Sequence, residues 1–417
     1  MWPFLEPNDL LLLIKIVQQE TKSDIMSGII EQHYFRKAAT LFAGGMILML
    51  LQNFISDPAF ANSKWQIGTG SGYLFNDNYF KTDSNKVSDQ TFKITPSASI
   101  SIQQFRSVLD FGYSGIYGLN ETQTQDDQFN HNVHFGFKLK LGDFSGFDFS
   151  AAYLTSRDER GVSASPVVST AALAKWSGKK TSATFTLPLI GKSLIRIGGK
   201  YEERNYETSY AGSSRNIVDL NIASILPVTV KTAFQIKYLL QITTPHLSAS
   251  NAAQLDQLSV GVKWRTTGKT TSFANVGYEI NTSNINNTRY SGIYTDINFL
   301  WHRKTYSTVN FKLSRKTTDN ANVVEGYLVS NIASMIWKHQ YTDKWASDIG
   351  TSVMYDEYEL GRKDVYVNPL LGFSLKQSRM LQYNFKLLVS KRSSNQSALD
   401  YDNIIVSAGF NMRLGGR

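Results

Sequence analysis

Residues 403–414 read NIIVSAGFNMRL. Successive side chains of a strand point to opposite faces. Ile404, Val406, Ala408, Phe410, Met412 and Leu414 therefore share one face, and Asn403, Ile405, Ser407, Gly409, Asn411 and Arg413 share the other. The first row is apolar throughout, while the second holds a single large apolar residue, Ile405. Strict alternation over this length exceeds the roughly five or six residues of an ordinary globular strand. About ten residues of tilted strand cross a bilayer. The stretch therefore predicts a membrane strand with lipid on one face and water on the other.

The same period recurs along the chain. Phe92, Ile94, Pro96, Ala98, Ile100 and Ile102 form one row. Val133, Phe135, Phe137 and Leu139 oppose His134, Gly136, Lys138 and Lys140. Val230, Phe234, Ile236, Tyr238 and Leu240 oppose Lys231, Gln235, Lys237 and Gln241. Leu258, Val260, Val262 and Trp264 oppose Ser259, Gly261, Lys263 and Arg265. Tyr383, Phe385, Leu387 and Val389 oppose Asn384, Lys386 and Leu388. A soluble sandwich also alternates, but its strands are shorter and its polar faces patchier. No segment after residue 61 holds 18 consecutive apolar residues, so no transmembrane helix is expected there.

The connectors alternate as well. Short ones near 103, 142–146, 190–192, 226–228, 267–269, 302–304, 342–344 and 377–379 separate longer polar ones, such as 76–89, 158–178 and 393–401. Short periplasmic turns and long outer loops characterise outer-membrane barrels. The pattern predicts an all-β fold, a single transmembrane antiparallel up-and-down barrel of about 18 strands. Sixteen is the alternative, because STAALAKWSGKK at 169–180 reads as strand or loop. The final strand is expected to pair with the segment from Trp65 to Phe75 and so remove both sheet edges. Trp65, Tyr201, Trp301, Trp337, Trp345 and Tyr355 suit interfacial girdles.

Composition agrees with this picture. The chain has 417 residues, 42% of them apolar, with 21 Tyr, 24 Phe and no Cys. Disulfides and thiolate metal sites are excluded. The net charge of +9 fits nucleic acid, an anionic surface or an anionic solute, and the N-terminus bears on the choice. Arg36 and Lys37 precede an apolar run over 38–51, and Ala59-Phe60-Ala61 is an A-x-A site. Residues 1–61 therefore read as an N-terminal extension and a cleaved signal peptide, and 62–417 as the barrel. An uncleaved anchor is the alternative. Residues 1–25 fit no targeting pattern, and Met26 would give a signal of ordinary length. Removing 1–61 takes away four basic and six acidic side chains and leaves +11. Export argues against nucleic acid as a partner.

With the apolar rows facing lipid, the inward set includes Lys138, Lys140, Arg196, Lys200, Lys231, Lys237, Lys263, Arg265, Lys312 and Lys386. The inward acids are Asp110, Asp219, Glu279, Asp296 and Asp348. One reading is a solvated wall of mutually paired charges. The other is a cationic conduit that lowers the energy of an anionic solute. Neighbouring aromatic, Asn and Gln side chains would suit a sugar chain.

Catalytic chemistry finds little support. The six His are scattered, and His131 and His134 stand at i, i+3, on opposite faces of a strand. Neither G-x-S-x-G nor H-E-x-x-H occurs. GTGSG at 68–72 sits in a strand pattern without a following helix, so it is not a phosphate loop. No catalytic residue, metal site or cofactor is predicted.

Short stretches carry a resemblance to a known family. YDEYELGRKD at 355–364, RSSN at 392–395, DYDN at 400–403 and AAYLTSRDERG at 151–161 resemble the outer-membrane barrels of bacterial exopolysaccharide loci, the "putative β-barrel porin 2" family. The resemblance extends more weakly across 64–414. It implies an integral Gram-negative outer-membrane barrel associated with export of an exopolysaccharide or capsule-type polymer. Its implied partners are outer-membrane lipid, the polysaccharide chain, the barrel assembly machinery and periplasmic export components. A general small-solute porin and a structural or adhesive barrel remain the alternatives. The loop signatures themselves are rich in Asp, Asn and Gly, which tie loops through local hydrogen bonds. Barrels of this kind commonly end on an aromatic residue, whereas this sequence ends Leu414-Gly415-Gly416-Arg417. Phe410 and Leu414 are the internal candidates for the assembly signal.

Overall fold

A computed structural model describes residues 63–160, 172–246, 252–267, 269–284, 287–319 and 327–416. The expected extension and signal peptide lie outside these residues. Eighteen strands follow one another: β1 (Ser63–Asn76), β2 (Asp89–Gln104), β3 (Ser107–Asn120), β4 (Gln128–Lys140), β5 (Gly146–Arg157) and β6 (Lys175–Pro188). They continue as β7 (Leu194–Tyr206), β8 (Arg215–Pro227), β9 (Thr232–Pro245), β10 (Ala253–Thr267), β11 (Thr270–Ser283) and β12 (Thr288–Lys304). The last six are β13 (Ser307–Asp319), β14 (Tyr327–Gln340), β15 (Trp345–Tyr358), β16 (Lys363–Lys376), β17 (Leu381–Ser394) and β18 (Tyr401–Gly416).

Each strand pairs antiparallel with its sequence neighbours, and β1 also pairs with β18. Tyr73 faces Ala408 and Ile67 faces Leu414 across this seam. The sheet is thus a closed 18-stranded barrel without an edge. Closure matters because an unpaired backbone N–H or C=O in hydrocarbon costs several kcal/mol. The register offsets of the eighteen pairings add to a shear of about 22 residues around the circuit. With strands about 4.8 Å apart and a rise of about 3.3 Å per residue, that shear tilts the strands by about 40° and gives a backbone diameter of about 36 Å.

The sheet buries no conventional apolar core. Phe234, Ile236, Leu258 and Val260 are each more than half exposed. They share the outward face, where the bilayer replaces a core. Trp65, Trp264, Trp301, Trp337 and Trp345 stand on this face near the ends of their strands that adjoin the short turns. Tyr355 lies ten residues along β15 from Trp345, also outward. On a strand tilted by 40° this separation rises about 25 Å, the height of an outer-membrane apolar band.

The turns beside both chain ends are short, while connections 77–88 and 158–174 at the opposite end are the longest. This polarity sets the periplasmic and extracellular ends. Connections 284–287 and 359–362 on the outer side are as short as many periplasmic turns. The first periplasmic turn is Phe105-Arg106, two residues beyond the expected Gln103-Gln104, which belong to β2. Phe105 takes a φ of 49°, a left-handed conformation that bulky residues rarely adopt. Turn chemistry in the sequence therefore favoured the polar pair.

Candidate functional site

Cross-strand partners share a face, so the register sorts the inner wall directly. One inward row runs Lys64, Ser101, Asp110, Gly136, Ser150, Ser182 and Lys200 across β1 to β7. It continues through Asp219 and Gln241. All nine predicted cations that sit in strands carry the inward phase; Lys231 lies in the periplasmic turn before β9. Most occupy the periplasmic half. Lys140 ends β4, Arg196 is two residues into β7, and Arg265 lies near the end of β10.

These cations have few counter-ions. Among the described residues, Lys200 alone of the ten makes a salt bridge, to Glu202 at 3.0 Å and Asp219 at 3.5 Å. Arg204 extends this network to Glu202 at 2.6 Å, and Gln241 donates to Asp219 at 2.7 Å. Several of the others face only uncharged cross-strand partners. Lys237 faces Ala223 and Ser259, Lys312 faces Asn298 and Ser334, and Lys386 faces Gly372 and Ser407. Lys138 faces Asp148 without reaching ion-pair distance. A charge in a water-filled lumen keeps its hydration, so an unpaired lysine there is stable and available to a passing anion.

The inner wall carries further charges. Lys64, Lys93, Lys180, Lys338, Lys376 and Arg413 also point inward. So do the acids Asp148, Glu202, Asp356 and Asp364. The five predicted acids all have the inward phase, and Glu279 reaches across Gly292 to accept from the Thr317 backbone at 2.7 Å.

The extracellular mouth carries a second charged cluster. Connection 77–88 is bolted at its base to β18: Asn78 donates to the Asp402 carbonyl at 2.8 Å, and Asn403 donates to Asn76 at 2.6 Å. Its tip turns inward. The Lys81 ammonium lies 5.8 Å from the ring centre of Tyr401, an inner-face residue of β18, and donates to the Arg160 carbonyl at 3.2 Å. Withdrawal from water pushes the Lys81 pKa down. Asp126 is fully buried; it receives the Arg160 guanidinium at 2.5 Å, the Tyr79 hydroxyl at 3.1 Å and the Leu173 N–H at 2.9 Å. Arg160 also stacks 4.7 Å from Phe80. Three connections, 77–88, 121–127 and 158–174, are thereby fastened together.

On the same side of the mouth, Arg392 lies 4.9 Å from the Tyr401 ring that also faces Lys81, and Arg362 lies 3.4 Å from the Tyr358 ring. These are the residues of the SRDERG, GRKD and DYDN stretches. One expected local hydrogen bond is present, from the Ser394 N–H to Asp400 at 2.6 Å, while Asn395 instead donates across to the Gly361 carbonyl of the neighbouring connection at 2.9 Å. The long-range pairing of Asp126 with Arg160 had no local sequence signal, because neither pattern nor spacing links the two connections. Among the described residues, no cluster of three His, Asp or Glu side chains could hold a metal ion.

Residues 243–414 match the family model described as putative beta-barrel porin 2. No curated protein matches the sequence. Solved structures share the fold. Pseudomonas aeruginosa OccK9 (OpdG) superposes at TM-score 0.51 with 9% identity, over 86% of this chain and 100% of that one. A BenF-like porin from Pseudomonas fluorescens Pf-5 gives 0.51 and 10%, over 85% and 100%. Acinetobacter baumannii OccAB2 gives 0.50 and 8%, over 87% and 100%. The closed barrel, its lipid-facing belt and the family match describe a channel in the Gram-negative outer membrane rather than an enzyme.

Proposed function

We propose that this outer-membrane β-barrel porin conducts anionic solutes, and that its cargo is an exopolysaccharide or capsule-type polymer leaving the cell. One observation carries the reading: inward cations without ion-pair partners line the periplasmic half, where an outgoing polymer enters. Lysines on β9, β10, β13 and β17 surround the entry and attract a polyanion without holding it in one pose. Periplasmic export components would deliver the chain to this end.

The inward tip of connection 77–88 favours a second reading, a porin for small anions, because it narrows the mouth that a polymer must leave through. Two measurements separate these readings. Replacing Lys231, Lys237, Lys263 and Arg265 by Glu should turn a chloride-preferring pore into a potassium-preferring one in planar bilayers. Unchanged selectivity would remove the anionic conduit. Deleting the protein should abolish polymer at the cell surface. Normal surface polymer with slowed uptake of small carboxylates would replace export with the small-solute reading.

A further inference from the structure

The inner wall has a hollow of about 530 Å³ that the conduit reading does not use. It lies over β1 to β6. Its floor is made of short side chains in adjacent register: Ser99 and Ser101 on β2, Gly136 on β4, Ser150 and Ala152 on β5. Charged side chains bound it, with Lys64 at one end and Lys180 at the other. These sit five strands apart, a span of about 24 Å along the sheet at about 4.8 Å per strand.

Two further groups stand within the hollow. His134 on β4 lies against Gly112 of β3, where a Cβ would collide with its ring, so a glycine lets the imidazole lie flat on the wall. Asp110 borders Gly136, and any Cβ there would meet its side chain at 3.4 Å. The hollow thus offers hydroxyl groups along its floor, one carboxylate acceptor, one flat ring and two ammonium groups at its ends. Its volume lies within the usual range of small-molecule sites, about 300–1,000 Å³.

We propose that this hollow is a binding site for an acidic sugar. The serine hydroxyls and Asp110 exchange hydrogen bonds with ring hydroxyls, the flat His134 ring packs against the apolar face of a sugar ring, and Lys64 or Lys180 takes the carboxylate. Neutral sugars lack the last contact, and simple carboxylates lack the others. The assignment rests on the anionic-conduit reading and narrows its substrate class. It also gives the β1–β6 wall a role different from the β9, β10, β13 and β17 lysines: a pause site beside the attracting field.

The test is block of the open pore in planar bilayers by glucuronate, with glucose and acetate as the comparison solutes, using the full barrel. Glucuronate should reduce the current in a saturable way, with half-block at a concentration at least tenfold below that of glucose or acetate. Ala152→Trp, which fills the hollow, should raise the glucuronate half-block concentration about tenfold. Ser352→Trp, on the opposite wall, should not. Lys64→Gln with Lys180→Gln should erase the preference for glucuronate over glucose without filling the space, which keeps the test decisive if the tryptophan variant fails to assemble. Equal block by acetate, or glucuronate block unchanged in both recess variants, would overturn the assignment. Chloride-over-potassium preference, measured on the same pores, reports separately on the conduit: its presence with unchanged block removes the sugar site alone.

Discussion

At the residue scale the mouth depends on one carboxylate. Asp126 is fully buried and holds an arginine, a tyrosine hydroxyl and a backbone amide from two other connections. Removing one partner of a buried ion pair costs about 3–5 kcal/mol, because the remaining charge is left without compensation. That cost falls on loop packing and not on the strand ladder, whose hydrogen bonds Asp126 does not make. Asp126→Ala should therefore leave a barrel that still migrates as a heat-modifiable species, while trypsin cleaves at Lys81 and Arg160 and single-channel conductance rises. An intact tip with native conductance would show that the base contacts of Asn78 and Asn403 suffice to hold it. Lys81→Met should act in the same sense and more weakly, because it removes the hydrogen bond to the Arg160 carbonyl and the contact over the Tyr401 ring while leaving the Asp126 cluster in place.

At the element scale, β18 and β6 show how far the sequence could be read. Over residues 404–414 of β18 one face is apolar at every position and the other is not, so its phase, its lipid side and its pairing with β1 all follow from alternation. In β6, Trp176, Gly178, Lys180, Ser182 and Thr184 face inward, and Ser177, Lys179, Thr181 and Ala183 face outward. Between Ser177 and Thr184 both rows are polar or small, so no hydrophobic phase exists to read there, and Lys180 escaped the predicted set. The same limit hid the mouth, where the contacts join connections far apart in the chain. Lys138, Arg196, Lys237, Lys263, Lys312 and Lys386 were legible because each alternates with large apolar neighbours. The chain has no cysteine, which makes the phase of β6 directly measurable. Single cysteines at Lys180, Ser182 and Thr184 should react quickly with a charged, membrane-impermeant maleimide, and those at Thr181, Ala183 and Phe185 should react only with a lipid-soluble one. Uniform labelling by the charged reagent would mean that this wall does not separate lumen from lipid.

At the scale of the whole molecule, width decides what the charges can do. A backbone diameter of about 36 Å leaves roughly 20–25 Å between inward side-chain tips below the mouth, so the axis lies about 10 Å or more from the lysines. The Debye length is about 10 Å at 0.1 M salt and about 3 Å at 1 M. On the proposed anionic conduit, the fields of the unpaired cations overlap on the axis at low salt, and the lumen as a whole should prefer anions. At high salt each field is confined to the wall and ions on the axis pass unsorted. The chloride-to-potassium permeability ratio should accordingly fall from several-fold at 0.1 M to near unity at 1 M. A ratio independent of salt would point to a tight local filter, and the inward tip of connection 77–88 is where one would have to sit. The Lys81 ammonium at that tip is already committed to the Arg160 carbonyl and held over the Tyr401 ring. It is poorly placed to supply selectivity, which leaves the distributed wall charge as the source and makes salt the variable that exposes it.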